Sequence, residues 1–183
     1  FVVVNTKTEE FDYPKGGENV YTTYTGSGGV SLSGASKLAF ALKFGSIQLL
    51  LSGSVTEDSK ILLNRNIQNR VETIAPFLEY DADPYIVSSE GSLYWIIDAY
   101  TTTDRFPYAE RFGLQNINYI RNSVKVIVNA YSGEVTFYVI EQEPLIETYQ
   151  KMFPSLFTDY TLMPEDLKNH IRYPADLFTL QAE

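Results

Sequence analysis

Two stretches of this chain alternate apolar and polar residues with a period of two, and each is interrupted once by a short glycine-bearing turn. The first, "YDADPYIVSSEGSLYWIIDAYTTT", runs from Tyr80 to Thr103, and the second, "SVKVIVNAYSGEVTFYVI", from Ser123 to Ile140. Successive side chains of a strand point to opposite faces, so this pattern commits both stretches to strands and fixes which residues share a side. Ser89-Glu90-Gly91 and Ser132-Gly133 supply the turns, which makes two consecutive β-hairpins. On the second strand of the first hairpin, Leu93, Trp95, Ile97, Ala99 and Thr101 share one face, and Tyr94, Ile96, Asp98, Tyr100 and Thr102 the other. In the second hairpin Val124, Val126, Val128 and Ala130 face one way, while Lys125, Asn129 and Tyr131 face the other. The runs "IDAYT" and "VNAYS" echo each other, a small residue standing on the packed face of each.

Helical signals surround the hairpins. Ser33 or Ser36 can cap a helix carrying Leu38, Leu42 and Phe44 and ending near Gly45. A longer helix is expected from about Glu57 to Leu78, because Ile67, Val71, Ile74 and Leu78 form one apolar stripe with Pro76 bending its last turn. Pro144 opens a helix through Leu145, Tyr149 and Phe153, and Pro164 and Pro174 open two more. The last residues carry no helix-stopping signal, which predicts that the polypeptide continues. Residues 1–34 open with the β-rich "FVVVNT", which can add a strand through Val2–Asn5, and then become glycine-rich. The expected fold is therefore α+β: an antiparallel sheet of two consecutive hairpins with helices packed on one face, over residues 35–183, preceded by an irregular N-terminal arm at 1–34. At 183 residues the whole suits one folding unit.

Charge and composition exclude several functions. The net charge is −9 and the 14 basic residues are scattered singly, whereas phosphate backbones select clustered Lys and Arg. The same charge disfavours a polybasic attachment to anionic lipid. With no cysteine there is no disulfide and no thiolate zinc site. The most apolar run, "KLAFALKFGSIQLLLSG" from Lys37 to Gly53, is too short and too interrupted to span a bilayer.

Five features invite a functional reading. Glu79, Asp81 and Asp83 alternate along "EYDADP", and hard oxygens of this kind suit calcium, although the spacing is not that of an EF-hand. The structural alternative is an Asx-turn connection whose charges are met by backbone amides or by Arg65 and Arg70. Asp98 and Asp104 are the best pair for glycoside hydrolysis, which needs two carboxylates across a cleft. Arg105 is an equally good partner for Asp104. The aromatic face of Tyr94, Tyr100, Tyr131 and Tyr138 is either a contact surface or a sheet face covered by helices. "GSGGVSLSGASK" lacks the Gly-Lys-Ser/Thr of a phosphate loop, and His170 stands without a second histidine or a cysteine to share a zinc. No nucleophile elbow is present.

Several runs, taken in order, carry a likeness: "EFDYPKGGENVYTTYTGSGGVSLSG", "RNIQNRVETIAPFLEYDADPYIV", "LYWIIDAYTTTDRFPY", "NYIRNSVKVIVNAYSGEVTFYVI", and "YQKMFPSLF" leading to "RYPADLFTLQAE". They resemble the soluble part of uncharacterised protein family 0182, bacterial multi-pass membrane proteins, along essentially the whole chain. The resemblance implies a parent with transmembrane helices upstream and a large extracytoplasmic region, of which this chain is a soluble piece. It transfers no catalytic residue and no cofactor, and Asn129 stands where it implies aspartate. The expected function is an extracytoplasmic, non-enzymatic module of a protein of the cell membrane. Its partners would be the membrane domain of the same parent chain, other envelope proteins or glycans. The alternative is a hydrolase acting on envelope glycans through Asp98 and Asp104.

Overall fold

The structure, a computed structural model, describes residues 1–112 and 116–182. Backbone contacts divide the chain into two compact units, Phe1–Arg65 and Asn66–Glu183.

The first unit comprises β1 (Val2–Val4), β2 (Glu10–Lys15), β3 (Glu18–Thr22), β4 (Val30–Ser31), α1 (Gly34–Phe44), α2 (Ile47–Leu51) and β5 (Lys60–Leu62). Strands β2 and β3 form an antiparallel ribbon, while β1 and β4 flank β5 in a second small sheet. Its core gathers Leu32, Ala41, Leu49 and Ile61, with Val3, Phe40 and Phe44 packed around them. Residues 1–34, expected to be an irregular arm, hold four short strands. Gly45 ends α1 in the left-handed conformation at φ 60°, where a side chain would be strained.

The second unit comprises α3 (Ile67–Ile74), β6 (Glu79–Tyr80), β7 (Tyr85–Ser89), β8 (Ser92–Thr103), β9 (Tyr119–Asn129), β10 (Val135–Val139), α4 (Pro144–Met152), β11 (Phe157–Asp159), a 3₁₀ turn at Tyr160–Leu162, α5 (Glu165–Lys168) and α6 (Ala175–Ala182). The helix expected from Glu57 forms only from Ile67, because Lys60–Leu62 pairs with Val2–Val4 and buries Ile61 completely. Asn66 then starts the helix afresh, its side chain accepting from the Asn69 amide at 3.0 Å. Val71, Ala75 and Leu78 turn inward and Ile74 is exposed, so the apolar stripe lies slightly around the helix from its expected line.

Both hairpins form as the alternation requires. In β7–β8 the turn residues Glu90 and Gly91 lie at φ 49° and 77°, the mirror-image geometry that matches strand twist. In β9–β10 the Asn129 side chain accepts from the Tyr131 and Ser132 amides, each at 2.9 Å, and Gly133 turns the chain at φ 72°. The sheet order is β11-β10-β9-β8-β6, with β7 also on β8. The central strands are antiparallel, and only the edge strand β11 runs parallel to its neighbour, with Phe157 opposite Phe137.

Coverage differs from the expectation of helices on one face, because both faces are covered. On one, Ile97, Ala99, Val124, Val126, Val128, Phe137 and Val139 pack with Val71 of α3, Ala75 just after it and Ile146 of α4, with Trp95 at the margin. On the other, Tyr85, Val87, Ile96 and Ile127 pack under Met163 and Leu167 from the C-terminal segment. The cause is legible in β8 and β9 themselves. From Ile96 to Tyr100 and from Asn122 to Val128 every residue is buried, which a sheet open on one side does not allow.

Candidate functional site

Burying both faces forces polar side chains of β8 and β9 into the interior, where each needs a partner. Lys125 and Asp98 are register partners on adjacent strands and form an ion pair with both side chains almost wholly buried. The Lys125 ammonium also donates to the Arg172 carbonyl at 2.9 Å, tying the sheet to the covering segment. Burial pushes the Asp98 carboxyl upward, opposed by Lys125 and by hydrogen bonds from Lys125 and Asn122, with the charge of Asp81 adding to the upward push.

Asp81 is buried beside this pair, its amide donating to the Asp98 carbonyl at 2.9 Å. One carboxylate oxygen accepts from the Tyr100 hydroxyl at 2.5 Å and from the Asp176 amide at 3.0 Å, and the other from the Asp83 amide at 2.9 Å. Burial first, and then the bond to Asp81, hold the Tyr100 phenol far above the usual tyrosine range. Tyr85 accepts from the Arg172 amide at 3.1 Å, and the Arg172 guanidinium lies 4.4 Å from the centre of its ring.

A second buried polar cluster joins the strands to α4. Opposite β8, β9 carries an extra residue between Arg121 and Val124. The Thr101 and Ser123 hydroxyls meet at 3.0 Å, and Ser123 donates to Glu143 at 3.4 Å. Glu143 caps α4 by accepting from the Leu145 and Ile146 amides at 2.8 and 2.7 Å, and takes the Tyr119 hydroxyl at 3.0 Å.

The residues singled out in the sequence fall in different places. Of the proposed cation ligands, Asp81 is buried and bonded as above, while Glu79 and Asp83 are exposed. Among the described residues no three His, Cys, Asp or Glu side chains gather as a metal ion requires. Asp98 is a buried ion-pair member, whereas Asp104 is exposed beyond the strand end beside Arg105, 3.7 Å away. Strand geometry alone carries Thr103 roughly 17 Å from Asp98, against about 5–9.5 Å between the carboxylates of a glycosidase. The four tyrosines form no single open face. Tyr100 is buried, Tyr94 and Tyr138 are half-buried under the C-terminal segment, and Tyr131 stands exposed in the β9–β10 turn. His170 is exposed, with a ring nitrogen 2.7 Å from the Asp166 carbonyl. Lys125, Asn122 and Glu143 were not singled out as site residues. Opposite charges on facing strands were the available signal for Lys125, and a carboxylate just before Pro144 for Glu143.

The arrangement therefore holds charge inside the fold and fastens the C-terminal segment across one sheet face. Its acids, phenol and ammonium bond to one another and to the backbone.

Comparison with known proteins covers the full length. Residues 1–183 match the family described as "Uncharacterised protein family (UPF0182)". The chain is 53% identical over 189 residues to a UPF0182 protein of Methanospirillum hungatei, covering 100% of this chain and 21% of that protein. It is 56% identical over 185 residues to one of Pelotomaculum thermopropionicum, covering 100% of this chain and 20% of that protein. The chain thus spans about a fifth of the length of these relatives. No solved structure matches it. Among the described residues no helix is long and apolar enough to cross a membrane. Matched from its first residue to its last, the chain belongs to the uncharacterised protein family UPF0182.

Proposed function

We propose that this chain is a non-enzymatic contact module of a longer, membrane-embedded protein, lying on the extracytoplasmic side and engaging the remainder of its own parent or envelope polymers. The observation that carries this reading is the state of the ionisable groups. Asp81, Asp98 and Lys125 are buried in mutual and backbone bonds, and Asp104 stands alone at the surface with Arg105. General acid–base chemistry needs a group within hydrogen-bond reach of a bound substrate, and none of these four carries an open approach alongside a second acid. The share of the relatives' length that the chain covers supports a part within a larger assembly.

The test incubates the purified chain with peptidoglycan fragments and envelope polysaccharides, reading product release. A parallel arm titrates it against full-length protein from which this segment has been deleted. The expected result is no turnover and saturable binding. Turnover by the wild type that disappears in Asp98→Asn or Asp104→Asn overturns the reading in favour of the glycan hydrolase.

A further inference from the structure

Helix α1 is apolar on both sides. Ala41, with Phe40 and Phe44, faces the core of the first unit. Ala35, Leu38, Ala39 and Leu42, spaced i, i+3, i+4 and i+7, lie on one stripe turned to solvent. Leu38 is 51% exposed and Leu42 75%. Helix α2 repeats the pattern after the Gly45 turn, burying Leu49 while Ile47 is 70% and Leu51 79% exposed. Apolar side chains on two sides of a helix call for cover on both, and here the unit covers only the inner side. The outward leucines therefore form a patch with a missing neighbour.

Charge selects the neighbour. All 23 acidic residues of the chain lie outside residues 19–56, a segment holding two lysines and no carboxylate. A chain of net charge −9 thus keeps its negative charge clear of this hairpin. Lys43 is exposed in the last turn of α1, its ammonium 5.9 Å from the centre of the Phe44 ring. From there a long side chain places its charge in headgroups while its stem lies on apolar surface.

We infer that the α1–α2 hairpin docks onto the surface of a lipid bilayer, its outward leucines and isoleucine buried at the boundary between headgroups and acyl chains. The chain's overall charge opposes a polybasic attachment, and the docking instead rests on apolar burial with a local positive bias. The inference stands independently of the contact-module reading, which fails on glycan turnover and not on lipid binding.

The test floats the intact 183-residue chain with vesicles of phosphatidylcholine, and with vesicles containing about a third phosphatidylglycerol. Binding to both is expected, stronger to the anionic vesicles. Leu42→Ser and Leu51→Ser each lower partitioning by about tenfold and leave the melting temperature unchanged, because both side chains are exposed. Lys43→Glu removes much of the preference for anionic vesicles and spares binding to phosphatidylcholine. Failure of the wild type to float, or leucine variants that float equally well, overturns the inference. So does a wild-type dimer in solution that Leu42→Ser turns into a monomer, since the patch is then a contact between copies.

Discussion

The buried pair Asp98–Lys125 governs what single substitutions do to this protein. Its two charges are almost fully withdrawn from water, so each is stabilised chiefly by the other. Asp98→Asn leaves the ammonium with one carbonyl and no counter-charge, and about 3–5 kcal/mol of stability should be lost in urea unfolding. The double replacement Asp98→Leu/Lys125→Met removes both charges and is expected to recover most of that loss, which a double-mutant cycle measures directly. Tyr100 gives a pH dependence of definite sign. Its phenol is held above the ordinary value near 10 by burial and by Asp81, so the folded state keeps the proton more tightly than the unfolded one. The stabilisation is complete below about pH 10 and is lost as the pH rises beyond it. Tyr100→Phe should therefore flatten the alkaline limb of a stability–pH curve. At neutral pH it should cost about 1–3 kcal/mol, since Asp81 loses a donor. Sequence placed Asp98 and Lys125 on strands of opposite hairpins. It did not show them paired, because alternation assigns a face and leaves open whether that face is covered.

At the scale of elements, the hairpins were legible and the helices less so. Alternation together with Glu90-Gly91 determined β7 and β8, and Trp95 lies on a strand as its neighbours require. The helix expected from Glu57 failed for a reason outside its own segment: the pairing of Lys60–Leu62 with Val2–Val4, nearly sixty residues away, outcompetes local helix formation. Coverage of the tyrosine-bearing face by Met163 and Leu167 was equally non-local, since no nearby residue announces what will fold back over it. The β7–β8 turn offers a prediction of its own. Glu90 adopts φ 49°, a conformation that asparagine tolerates far better. Glu90→Asn should raise stability by about 0.5–1 kcal/mol, while Gly91→Ala at φ 77° should lower it by about 1–2 kcal/mol. Thermal melts of the two variants should move in opposite directions.

The whole molecule is two units, each with buried apolar residues of its own. The second carries two such clusters, one on each sheet face, and a polypeptide of residues 66–183 should melt cooperatively by circular dichroism when expressed alone. A gradual, non-cooperative loss of signal would contradict that. The resemblance to the family runs through both units, whereas the strand and helix patterns located the chemistry-bearing residues only in the second. One further property follows from where the single tryptophan resides. Trp95 belongs to β8, so the chain's indole emission has one address, and a melt followed at that wavelength records the second unit while passing over the first in silence. An indole-emission titration aimed at the α1–α2 hairpin will need a tryptophan introduced there, because the first unit carries none.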